Sequence, residues 1–92
     1  MSIIRWSPEA VERVKSIKEY IGQESSSGAN KFAEGILEQI ENIALYPRMG
    51  KAAFSETYPN LRFLVWKHYK IYYEYRKNEN RVEIWGVWDA SA

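Results

Sequence analysis

The sequence predicts a two-layer α+β domain, in which an antiparallel helical hairpin packs on a small, mostly antiparallel sheet in the order β-α-α-β-β-β. Three observations lead there. Two stretches in the first half repeat apolar residues every three or four positions, the period of a helix with one buried face. Three stretches after residue 60 alternate bulky apolar or aromatic residues with charged ones, the period of a strand with one buried face. The breaks within each set are short and polar, which favours antiparallel connections.

Each element has its own signal. Ser2-Ile3-Ile4-Arg5-Trp6 reads as a short strand. Ser7-Pro8-Glu9 then supplies an N-cap, a proline suited to the first helical position and an acid that favours the helix dipole. The first helix is expected over 8–24. Ala10, Val14, Ile17 and Ile21 form its apolar face, with Val11 and Tyr20 alongside. The loop Ser25-Ser26-Ser27-Gly28 leads into a second helix over 28–45, with Ala29, Phe32, Ala33, Ile36, Leu37, Ile40, Ile43 and Ala44 as a broad stripe. Tyr46-Pro47 stops it. Residues 47–60 hold Pro47, Gly50, Ser55 and Pro59 and read as a loop. Strands are expected near 61–67, 69–76 and 81–88, with turns at Lys67-His68 and Lys77–Asn80. Ile17, Ile21, Phe32, Ile36 and Ile40 should share one core.

The 92 residues suit a single domain, 1–92. Hydrophobic residues make up 46% and charged residues 27%, a globular and not a disordered composition. The net charge of +1 hides an asymmetry: residues 1–45 carry −2 and residues 46–92 carry +3. That excess is too small for strong nonspecific nucleic-acid binding. Cysteine is absent, so disulfides and thiolate-bound metals are excluded and a reducing cytoplasm is permitted. No apolar run reaches the ~18–20 residues of a membrane-spanning helix, and the N-terminus shows no signal-peptide pattern.

No phosphate loop, dinucleotide fingerprint, hydrolase elbow or zinc motif is present, and no cofactor is expected. The glutamates on the helices are scattered and read as solvated faces, not as metal ligands. His68 is the single histidine; its turn position reads as solvated in preference to catalytic. Arg62 and Lys70 flank the first predicted turn, where two cations on adjacent strands can grip a phosphate or carboxylate. The alternative is an outer sheet face with Glu74 and Glu83 as their partners. Among the aromatics, Tyr69, Ile71, Tyr73 and Tyr75 read as core. Trp66, Tyr72 and Trp85 read as interface candidates.

Taken in order, these features resemble the RelE/ParE toxin superfamily of type II toxin–antitoxin modules. The matching residues begin with a short strand, Pro8 and a helix carrying Ala10, Val14, Ile17, Tyr20 and Ile21. A second helix follows that ends in Leu45-x-Pro47-x-x-Gly50. Arg62 opens the next strand, then come Tyr69-Lys70-Ile71-x-Tyr73 and Val82-x-Ile84-x-x-Val87-Trp88. The two long helices look like the ParE branch. Asp89 fits the family's terminus, but the arginines that often follow it are missing from Asp89-Ala90-Ser91-Ala92.

The resemblance implies a cytoplasmic toxin that inhibits growth by poisoning DNA gyrase and is neutralised by a cognate antitoxin. It also admits a RelE-like ribosome-dependent mRNA endoribonuclease, with Arg62 and Lys70 as its catalytic candidates, or a homologue that only binds an antitoxin. The expected target- or partner-binding residues are Arg62, Trp66, Lys70, Tyr72, Trp85, Trp88 and Asp89.

Overall fold

A computed structural model describes residues 1–91; Ala92, the last residue of the terminal segment named above, lies outside the described residues. The chain runs β1 (Ile3–Trp6), α1 (Pro8–Gly22), α2 (Ser26–Leu45), β2 (Lys51–Ala52), β3 (Leu61–Trp66), β4 (Tyr69–Arg76) and β5 (Arg81–Asp89), with a 3₁₀ turn at Lys77–Glu79. α1 begins where Ser7 and Pro8 place it, whereas α2 begins at Ser26, inside the stretch expected as loop, because Ser25 caps it. The Ser7 hydroxyl accepts the amide of Ala10, and the Ser25 hydroxyl accepts the amide of Gly28. Each thereby satisfies a donor that the first helical turn leaves free.

The sheet order is β1-β5-β4-β3-β2. β1 lies parallel to β5, with Ile3 beside Arg81 and Trp6 beside Ile84; every other pairing is antiparallel. The strand β2 corrects the expectation that 47–60 is all loop. It is only two residues long, pairs Lys51 with Phe63 and Ala52 with Arg62, and forms an edge. Two residues are too few for alternation to be visible in sequence. The two predicted turns hold, and each needs a residue at positive φ, Lys67 in the first and Asn80 in the second.

The core lies between the helical hairpin and one sheet face. It contains Ala10, Phe32, Ile36, Ile40, Ile43, Tyr69, Ile71, Tyr73, Val82, Ile84 and Val87. Ile17, Ile21 and Tyr75 pack against it only partly buried. Tyr20 and Leu37 leave the expected stripes and are 75% and 54% exposed. A single step of 100° around a 3.6-residue turn is enough to swing each away from the sheet.

Gly35 sits where α2 meets the ring of Trp66, and an added Cβ would overlap that ring. Ala normally favours a helix over Gly by about 0.5–1 kcal/mol. Here overpacking should win, and Gly35→Ala should destabilise the fold by about 1–3 kcal/mol. Chemical denaturation checks the sign; a rise in stability would show that Trp66 moves aside freely. Ile36→Ala and Ile40→Ala, at buried positions in the same helix, should each cost about 2–5 kcal/mol in the same measurement.

Candidate functional site

The sheet face away from the helices is uncovered, and a register break decides what it shows. Along β5, Val82 and Ile84 point into the core, yet so does Val87. Tyr72 pairs with Gly86 and Tyr73 with Ile84, so Trp85 has no partner on β4. This is a β-bulge, one extra residue that shifts the alternation by one position. It sends Trp85 and Trp88 to the outer face together. The spacing Val82-x-Ile84-x-x-Val87 carries this signal in the sequence, because a regular strand would have placed its third core residue at position 86. Gly86 completes the device: an added Cβ there would lie 2.7 Å from the Trp88 ring.

The outer face carries two groups of aromatic rings. Phe63 meets Tyr72 at 5.7 Å between centroids, and Tyr72 meets Trp88 edge-on at 5.2 Å. Tyr58, from the loop after β2, caps Trp85 edge-on at 4.5 Å. These offset geometries favour ring quadrupoles and hold the rings in place. Lys70 lays its ammonium 4.9 Å from the Phe63 ring centre, and the Arg13 guanidinium lies 5.7 Å from that of Trp88.

Lys70, Tyr72, Trp85, Trp88 and Asp89 surround an open basin of about 460 Å³. Lys70 is the one cation among the described residues that line it. At the rim, Asp89 accepts the hydroxyl and amide of Ser91 at 2.6 and 2.9 Å. These bonds, the hydroxyl first, hold its carboxyl below the usual range, and the charge of His68 adds a smaller pull. The rim therefore stays anionic.

Beside the basin the same face is polar. Trp85 donates its indole N–H to buried Glu74 at 3.1 Å. Glu74 and Glu83 lie directly opposite each other, a repulsive pair in isolation. Arg76 bridges them, at 3.7 Å from Glu74 and 3.2 Å from Glu83, and Arg81 reaches Glu83 at 2.9 Å. The glutamates therefore partner Arg76 and Arg81, not Arg62 and Lys70.

Five of the seven residues expected from sequence thus converge, and two do not. Arg62 pairs with Tyr73 and Lys70 with Val65, one step out of phase along the ladder, so the two cations project from opposite faces. Arg62 donates to the carbonyls of Gly50 at 2.7 Å and Arg48 at 3.3 Å. Trp66 packs with Phe32 and Tyr69 beneath α2. Sequence reasoning paired residues by nearness to a turn, whereas the face each occupies depends on register. It also missed Tyr58, whose role comes from a loop with no periodic signal. His68 is exposed in its turn, with its ring 4.2 Å from that of Tyr69.

Tyr73 anchors the turn that Arg62 also grips. Its hydroxyl donates to Pro47 at 2.7 Å and accepts the amide of Gly50 at 2.9 Å. Burial raises its pKa above the ordinary 10.0, against smaller opposing pulls from the Gly50 bond and the Arg62 charge.

The family described as ParE toxin of type II toxin-antitoxin system, parDE, matches residues 4–92 of the sequence. No curated protein matches it. Among solved structures the chain is similar to that of the chromosomal ParDE toxin–antitoxin system from P. aeruginosa. That match has 19% identity and a TM-score of 0.75, covering 95% of this chain and 94% of that one. The intact E. coli RelBE toxin-antitoxin complex matches at 11% identity and a TM-score of 0.69, with both chains fully covered. RelBE2 from Mycobacterium tuberculosis matches at 15% and 0.61, with 94% of each chain covered. At these identities the likeness establishes the fold.

Two measurements test this geometry. Removing the Tyr73 hydroxyl leaves a buried amide and a carbonyl without their partner, so Tyr73→Phe should cost about 1–3 kcal/mol. The raised pKa means that its contribution is complete below pH 10 and is lost as pH climbs through the higher folded value. Wild type should therefore lose stability in alkali more steeply than Tyr73→Phe; parallel pH profiles would contradict the assignment. Gly86→Ala should displace the Trp88 ring and shift its fluorescence without unfolding the chain.

Proposed function

The chain belongs to the ParE toxin family of type II toxin–antitoxin systems, and on that footing we propose that it arrests growth by binding DNA gyrase through the uncovered sheet face, where a cognate antitoxin silences it. The observation that carries this reading is the basin of Lys70, Tyr72, Trp85, Trp88 and Asp89 on the sheet face opposite the helix-packed core, reached from α1 by the Arg13 side chain at Trp88. Aromatic rings with a polar rim are the anchors from which protein interfaces draw most of their energy. Lys70 and Asp89 set the polarity of a partner's approach and its register.

The competing endoribonuclease reading needs cations gathered around a scissile phosphate and a proton-transfer group beside them. Support for binding over cutting comes from the separation of Arg62 and Lys70 onto opposite faces, with Arg62 held by backbone carbonyls. His68 lies in the turn between β3 and β4 and does not line the basin. Gyrase as target puts the site of action in the cytoplasm. In keeping with this, no helix among the described residues is long and apolar enough to cross a membrane.

The partner's form follows from the surface. A short, acidic segment that folds on contact can lie over the aromatic field, as an added strand or as a helix in the groove. The C-terminal half's net +3 would steer it in.

Purified protein should inhibit gyrase supercoiling and leave mRNA intact in a translating ribosome assay. Trp88→Ala should weaken gyrase binding by roughly 2 kcal/mol, about thirtyfold, with the fold retained. Lys70→Ala should chiefly slow association and reduce its salt dependence. Cleavage of ribosome-bound mRNA that disappears in Lys70→Ala would replace this reading with the endoribonuclease one. Co-expression with the neighbouring gene's product should yield a complex that Trp85→Ala weakens; a product that binds this variant as tightly as wild type would remove the antitoxin from this face.

A further inference from the structure

At the end of the sheet remote from the β3–β4 turn lies a second cavity of about 370 Å³ with a different chemistry. Its wall carries Arg48, Arg62, Arg76 and Lys77, and Asn60 and Asn78 also line it. Arg76 is neutralised by Glu74 and Glu83. Glu79, the one acid on the wall, is bound to Arg81. Among the described residues Arg48, Arg62 and Lys77 form no ion pair. Three uncompensated cations around one concavity repel one another, and they lower their energy together when a multivalent anion enters.

We propose that this cavity binds a phosphoryl anion of two or more charges, either free pyrophosphate or the terminal phosphates of a nucleotide. Two features choose phosphate over other anions. Arginine presents a planar fork that meets two oxygens at once, and the lysine and amide donors can reach further oxygens that a single carboxylate lacks. The arginines are also pre-positioned. Arg62 is fixed by the carbonyls of Gly50 and Arg48, and the Arg48 guanidinium rests 5.4 Å from the ring centre of Tyr75. Arg48 covers that ring, so a base would not stack on the ring, and the donors named here are all aimed at phosphate oxygens. This inference stands apart from the gyrase reading, since Lys70 and Trp88 line neither this wall nor this cavity.

Isothermal titration at fixed ionic strength, with pyrophosphate as the probe, tests it. Pyrophosphate should bind one to one and saturably, while citrate and orthophosphate bind more weakly. Arg48→Gln and Lys77→Gln should each weaken binding by about tenfold. Both side chains are exposed, and circular dichroism confirms the fold of each variant. ATP tighter than pyrophosphate identifies a nucleotide as the source. ATP equal to pyrophosphate identifies the free anion. Absence of saturable pyrophosphate binding, equal binding by citrate, wild-type affinity in both variants, or binding of a single-stranded oligonucleotide without pyrophosphate binding would each overturn the proposal.

Discussion

A sheet has two faces, and two helices can cover only one of them. That constraint governs this molecule. α1 and α2 close over Ile71, Tyr73, Val82, Ile84 and Val87, and leave the other side of the same strands in water. Apolar burial is the main favourable term in folding, so residues of the covered face are chosen by volume and shape. Residues of the open face are free of that demand and still must not invite aggregation. The pattern there is aromatic rings at one end and a charged network at the other. A plain solvated face does not need four large rings, and their presence is what marks the face as a surface built for contact.

The open face holds its shape without a covering layer by two means. Around Trp88 the rings support one another, tilted between Phe63 and Tyr72 and edge to face between Tyr72 and Trp88. Around Glu74 the order is electrostatic. Two glutamates forced together by strand register are reconciled by Arg76, and the indole of Trp85 donates to the same Glu74 oxygen that Arg76 approaches. Trp85 stands between the two zones, bonding to Glu74 and lining the basin together with Tyr72 and Trp88. A rigid aromatic surface loses little entropy when a partner binds, which suits an anchor site.

Tyr73 and Arg62 show how the same scaffold serves the other end of the sheet. Both act on the turn between α2 and β2, one by a buried hydroxyl and one by a guanidinium bound to carbonyls. They fix the path of residues 47–50 and so set the position of Arg48 on the wall of the basic cavity. Of the two cations expected to grip a phosphate together, Arg62 fixes this turn and lines the basic cavity, while Lys70 lies in the aromatic basin.

The order and type of the long elements are legible along the chain. Their periodicities of 3.6 and 2 are local properties, and Ser7, Pro8, Ser25 and Pro47 mark the helix ends by local hydrogen bonding and φ restriction. Alternation along β4 likewise separates Lys70 and Tyr72 from Ile71 and Tyr73 wherever the strand is placed, so the share of β4 in the open face is a local property. Which residues meet depends on how those elements pack. The strand β2 exists because β3 offers it an edge. The two faces assigned to Arg62 and Lys70 follow from cross-strand register, which a one-residue slip would reverse. Trp66 went under α2 because Gly35 left a space for its ring. The bulge at Trp85 turned two tryptophans to one side, and no local preference of Trp85, Gly86 or Trp88 fixes that choice. It is made by the competition between Val87 for the core and Trp88 for the open face, which is settled only when both strands and both helices are in place.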